Sequence, residues 1–177
     1  MAFHHVAITT RDPEATHRFY TEVMGFRLVR AEAAPAAEGG WARHLFYDTG
    51  GGPCLAVWDI HDCPAVPASF DPSISRGLGL PGWTNHLAFA AGDLDELTAA
   101  RERWRGCGYD VLQIDHGWCT SIYVDDPNGI AVEVCCTTRA FDATDAAGAE
   151  TIRTAARPAL AEPPVPEVYE AATVTPA

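Results

Sequence analysis

His5-Val6-Ala7-Ile8-Thr9-Thr10-Arg11-Asp12 and His86-Leu87-Ala88-Phe89-Ala90-Ala91-Gly92-Asp93 are two copies of one pattern: a histidine, small residues at every second place, and an acid seven residues on. Alternate side chains of a strand share a face, which sets His5 with Ala7 and Thr9, and His86 with Ala88 and Ala90. Small neighbours leave space in front of both imidazoles. Val6 with Ile8, and Leu87 with Phe89, supply the opposite, core-packing face. A histidine repeated at the same place in two strands predicts two half-sites that converge on one metal ion. His4 faces the other way and reads as a structural or supporting residue.

Each histidine strand leads into a helix. Asp12-Pro13-Glu14 offers an N-cap, a proline in the first turn and an acid near the helix dipole, while Asp93 with Glu96 forms a capping-box pattern. The first helix is predicted to run through Phe19, Tyr20 and Met24 to Gly25, the second through Leu97, Ala100 and Trp104 to Gly106 and Gly108. A strand follows each (26–31 and 109–114), then a hairpin (45–48 with 55–60, and 120–125 with 130–136). The unit is βαβββ, present twice, and the fold class is α+β. The expected architecture is a single domain over 1–140, with modules at about 3–60 and 84–137 forming a curved mixed sheet around a central metal site. Residues 61–83 form a Pro/Gly-rich connection. The Ala/Pro-rich extension 141–177 is expected to be disordered or laid over a partner subunit, with a short helix through Ile152.

A chain of 177 residues buries roughly 70% of its unfolded surface, enough for a core without disulfides. The formal charge of −12 argues against nucleic acid or an anionic membrane as partner. All 12 basic residues are Arg, which excludes Schiff-base chemistry through lysine. No apolar run approaches the ~20 residues of a membrane span, and the N-terminus lacks a signal-peptide layout, so the cytoplasm is the expected compartment. The six cysteines (Cys54, Cys63, Cys107, Cys119, Cys135, Cys136) show no Cys-x-x-Cys and read as small buried thiols.

Asp126-Pro127-Asn128-Gly129 is a type I turn signature with glycine where positive φ is needed. Pairing Asp126 with Ile130 sets Tyr123 across from Glu133, with Ile122, Val124, Val132 and Val134 on the other face. Glu133 is then a carboxylate amid apolar strand residues, costly to bury unless paired or metal-bound. Leu55-Ala56-Val57-Trp58 parallels Ile130-Ala131-Val132-Glu133, so the first half has Trp58 where the second has its acid. His5, His86 and Glu133 make two histidines and one carboxylate, a set that leaves positions open on a non-haem metal.

With its paired modules covering about residues 3–137, the sequence resembles the vicinal oxygen chelate superfamily of glyoxalase I, bleomycin-resistance proteins and extradiol ring-cleavage dioxygenases. A sharper resemblance lies in Ile114-Asp115-His116, five residues, Ile122-Tyr123, two residues, Asp126-Pro127, one residue, Gly129, three residues, Glu133. This is similar to the extradiol dioxygenase signature at every specified position. The resemblance implies Fe(II) held by His5, His86 and Glu133, with Mn(II), Zn(II), Ni(II) or Co(II) as alternatives. It implies His116 and Tyr123 as catalytic groups beside a small catechol-like aromatic and O₂, and a homodimer as the assembly. Ring-cleaving members usually carry a further acid-base histidine at the head of the strand that begins here Pro53-Cys54-Leu55; this chain has none there, and His44 and His61 are the candidates to replace it. The alternatives are a divalent-metal lyase or isomerase of the glyoxalase or epimerase kind, and a non-catalytic drug-binding resistance protein.

Overall fold

The computed structural model describes residues 3–173. The elements run β1 (His5–Thr10), α1 (Pro13–Arg18), β2 (Arg27–Pro35), β3 (Trp41–Asp48), β4 (Cys54–His61), α2 (Ile74–Gly77), β5 (His86–Ala90), α3 (Leu94–Gly106), β6 (Val111–Asp115), β7 (Cys119–Asp125), β8 (Ala131–Thr137), α4 (Ala143–Thr154) and β9 (Glu167–Tyr169). They form a four-stranded sheet in the order β1-β4-β3-β2 and a five-stranded sheet in the order β5-β8-β7-β6-β9. The two βαβββ repeats thus fold with the same strand order, and the α+β class follows. In the first sheet β1 runs parallel to β4, with His5 opposite Cys54 and Thr9 opposite Trp58, while β3 lies antiparallel to β4 with His44 opposite Trp58.

Both helix starts are capped by the aspartates of the repeat. Asp12 accepts from the Ala15 N–H at 2.9 Å, and Asp93 accepts from the Glu96 N–H at 2.8 Å. The Glu96 carboxylate accepts from the Gly92 N–H at 2.7 Å, one residue before the N-cap, so the expected box closes on Gly92 rather than on the Asp93 N–H. The first helix differs from the expectation of a continuous α-helix to Gly25: α1 stops at Arg18 and continues as a π-helical turn over Phe19–Val23. The Met24 N–H reaches back five residues to the Phe19 carbonyl at 3.0 Å. The wider turn lets Phe19, Tyr20, Val23 and Met24 all go inside.

The chain divides into two compact units, one running up to Leu87 together with Val124–Val132, the other holding 88–123 and everything from Glu133 onward. The tip of the second hairpin therefore belongs with the first module, and its turn residues explain why. Within this first unit, Asn128 Oδ1 accepts from the Thr10 hydroxyl at 2.9 Å, the Asn128 amide donates to Thr16 Oγ1 at 3.1 Å, and the Tyr20 phenol donates to Asp126 Oδ2 at 3.0 Å. Asp126 also accepts from the Asn128 and Ile130 N–H groups, so all five of these buried side chains are satisfied. Gly129 has φ +70, and a Cβ there would run into the Arg76 guanidinium.

In the extension the short helix expected through Ile152 forms as α4, and the disordered alternative does not hold for α4 and β9. Asp142 and Asp145 form a capping box on α4, and β9 pairs antiparallel with β6, Val111 opposite Tyr169. The Arg101 guanidinium sits 4.0 Å over the Tyr169 ring, and Arg105 Nε donates to the Glu170 carbonyl at 2.7 Å. An edge strand offers unpaired backbone groups, and this segment takes up those of β6 within its own chain. The six cysteines are free thiols. Among the described residues no helix is long and apolar enough to cross a membrane.

Candidate metal and substrate site

In the first unit, strand alternation brings His5, His44, Phe46 and Trp58 to one face of the four-stranded sheet. The His5 ring lies 5.7 Å from Phe46 and 6.3 Å from His44, centroid to centroid. His44 is stacked on Trp58 at 3.7 Å with an interplanar angle of 9°, and its ring is 4.2 Å from Phe46. Burial first, and then the neighbouring His5, push the His44 imidazole below its ordinary pKa. His4 does not turn wholly away: its Nδ1 stands 2.8 Å from His5 Nδ1. That pairing engages the Nδ1 side of His5. His86, also of this unit, has Nδ1 3.3 Å from the Trp83 carbonyl. A carbonyl only accepts, so the ring carries its hydrogen on Nδ1 and its lone pair on Nε2, the tautomer a metal-ligating histidine needs.

His61, the other candidate for the missing acid-base group, lies three residues beyond Trp58 and so on the opposite face. There its Nε2 is 2.7 Å from the Asp59 carboxylate and its ring stacks on Trp41 at 4.1 Å. Asp59 is only 3% exposed and also faces Arg43 Nε at 3.2 Å. These two nitrogens reach ion-pair distance without the alignment of a good hydrogen bond. Sequence reading passed over Asp59, although its alternation with Leu55 and Val57 marks it as an inward-facing acid.

The hairpin register expected from the turn is realised, with the tip in the first unit and Tyr123 and Glu133 in the second. The Asp126 N–H donates to the Ile130 carbonyl at 2.9 Å, and Ile122, Val124, Val132 and Val134 are all buried. Glu133 is 6% exposed. The Tyr123 phenol interacts with Glu133 and with Ser121, and is pushed up to about 12 by burial first and by the Glu133 charge. His116 Nε2 lies 3.0 Å from the Tyr123 hydroxyl. Which of imidazole and phenol donates is set by the His116 tautomer, and the Glu133 charge acts on the same phenol. Imidazole, phenol and carboxylate thus form one cluster, a candidate relay. Ser121 and Cys119 are additions to this group that sequence reading missed; two-residue alternation with Tyr123 was the available signal.

The donor set of two imidazoles and a buried carboxylate has the chemistry of a divalent-metal site, and the tautomer of His86 agrees with it. Among the described residues, no three His, Cys, Asp or Glu side chains of the single chain cluster closely enough to hold one ion.

The sequence model of the Glyoxalase/Bleomycin resistance protein/Dioxygenase superfamily matches residues 2–134. The chain belongs to this superfamily. Its fold is similar to that of a lactoylglutathione lyase from Agrobacterium tumefaciens (22% identity, 76% of this chain and 92% of that one, TM-score 0.51). It is also similar to a glyoxylase/bleomycin resistance protein/dioxygenase domain from Frankia sp. EAN1pec (18%, 80% and 95%, TM-score 0.57). A third likeness is to the fosfomycin resistance protein FosX from Listeria monocytogenes (16%, 78% and 94%, TM-score 0.54). No curated protein matches the chain. Superfamily members bind divalent metals and small molecules and are often dimers, but the name itself joins lyases, resistance proteins and dioxygenases. Membership fixes the fold and leaves the reaction to the side chains.

Proposed function

We propose that this superfamily member is a metal-dependent oxidoreductase, an Fe(II) extradiol-type dioxygenase acting on a small catechol-like aromatic, with His5, His86 and Glu133 as metal ligands and His116 and Tyr123 as catalytic groups. The observation that carries the reading is the His116–Tyr123–Glu133 relay of the second unit, with its 3.0 Å imidazole–phenol approach. Bound Fe(II) supplies the electron transfer from a chelated diol to O₂ that opens the ring. The residues do the rest. Tyr123, held protonated by its raised pKa, donates to a substrate oxygen, and His116 stabilises negative charge that develops on oxygen. The homodimer is taken as the working assembly, since superfamily members are often dimers.

Trp58 at the place matching Glu133 favours this reading over a lyase or isomerase of the glyoxalase kind, which needs a fourth protein ligand from the first half. The test is oxygen uptake by protein loaded anaerobically with Fe(II), over a panel of catechols. The expected result is uptake with a yellow ring-opened semialdehyde; equal anaerobic turnover with Zn(II) or Ni(II) would replace the reading with the lyase or isomerase one.

A further inference from the structure

His44 sits in the first unit with a feature no other residue on that face shows. Its Nε2 is buried and has no hydrogen-bond partner among the described residues. The ring is not loose: Trp58 stacks on it and Phe46 packs at 4.2 Å, so turning to reach another partner would break both contacts. A buried imidazole nitrogen without a partner is a standing cost, and a fixed one is a recognition group for whatever arrives to pair with it. The neighbourhood defines the visitor. His5 is 6.3 Å away, and Ala7, two residues along the same face of β1, is small and exposed. The remaining surroundings are the aromatic Phe46 and Trp58 and, across from His44 on β2, Glu32, whose carboxylate is engaged by Arg30.

We infer that His44 is a substrate-contacting residue, its Nε2 hydrogen-bonding an oxygen of a planar aromatic diol bound beside His5, with Trp58 holding the ring in place for that contact. This rests on the metal-dependent reading above but assigns a residue that the second-unit relay does not contain. It also gives Trp58 a role. The carboxylate found at the matching place in the second half is replaced by a flat indole that orients an imidazole.

The experiment is an anaerobic titration of the metal-loaded protein with 4-nitrocatechol, followed by the ligand's own absorbance, alongside metal content and circular dichroism. His44→Ala is expected to keep metal and fold and to weaken nitrocatechol about tenfold, the size of one hydrogen bond to a ligand. His44→Gln, which keeps a donor and an acceptor, is expected to recover part of that loss. Wild-type affinity in His44→Ala would overturn the inference, as would loss of the metal in both variants, which would make His44 a ligand instead. If the wild-type protein binds no metal, the dioxygenase reading fails separately, and the same titration without metal decides this one: a weaker His44→Ala supports it, while equal or no binding overturns it.

Discussion

β4 and β8 hold the same place in the two repeats, each beside its histidine strand, and they diverge at one position: Trp58 in the first, Glu133 in the second. Around Trp58 the surface is aromatic and imidazole, His44 stacked on the indole and Phe46 beside it. Around Glu133 it is an acid, a phenol and an imidazole, the phenol and imidazole within hydrogen-bond distance. The backbone supplies equivalent positions, and the side chains divide the labour. On the proposed reading, one half holds a flat ligand and the other holds charge and moves a proton.

The strongest way to break this contrast is to truncate both positions. Glu133→Ala is expected to abolish metal binding and reduce turnover to background, whereas Trp58→Ala keeps the metal. Metal content after anaerobic loading checks it, and equal loss in the two variants would erase the proposed division. Next in size is the turn that carries the second hairpin. Asp126 accepts four hydrogen bonds at buried groups, while the first hairpin turns over Gly50-Gly51-Gly52, all exposed. Asp126→Ala leaves buried donors unsatisfied and is expected to cost about 3 kcal/mol of stability, while Gly51→Ser stays within about 0.5 kcal/mol. Urea unfolding measures both.

Tyr123→Phe tests the charge-handling half more finely. It keeps the metal and is expected to lower turnover on the order of 10²-fold. The sign of the pH dependence follows from the shift. With its pKa raised to about 12, the phenol stays protonated across the working range, so its ionisation adds no limb to the profile. The variant's pH–rate profile is therefore expected to keep the wild-type shape up to about pH 10. A basic limb lost on substitution would show instead that Tyr123 titrates within that range.

The repeat was legible because a period of two and a constant offset are properties of the chain itself: His5 and Asp12 recur as His86 and Asp93, and both copies fold as strand and cap. The register at Tyr123 was legible because Asp126-Pro127-Asn128-Gly129 has one good way to turn. Other features depend on partners distant in sequence. Glu167–Tyr169 carries no periodic signal and becomes a strand only beside the open edge of β6 and under Arg101. The π-helical turn arises because four large side chains at 19, 20, 23 and 24 must all point inward, which an α-helical pattern read along the chain does not reveal. The choice between His44 and His61 was open in the sequence and turns on pairing: His44 lies opposite Trp58, while His61 lies opposite Trp41 on the other face.

The smallest effect concerns the two aspartate caps, where the repeats look alike but their surroundings do not. Asp93 caps a helix of 13 residues, and Glu96 of its first turn accepts from the Gly92 N–H just before it. Asp12 caps a helix of 6 residues, and its own N–H donates to Thr10 Oγ1, which also meets Thr16 and Asn128. Alanine at either site removes one side-chain bond to a helix N–H and keeps the backbone groups, so each is expected to cost about 1 kcal/mol. The Thr10 network should survive in Asp12→Ala, because the group it uses is the backbone N–H. Chemical denaturation of the two variants gives the comparison directly. A loss well above 2 kcal/mol for Asp12→Ala alone would mean that the first cap also fixes the Thr10–Asn128 link, and that the repeats have diverged at their helix starts as well as at Trp58 and Glu133.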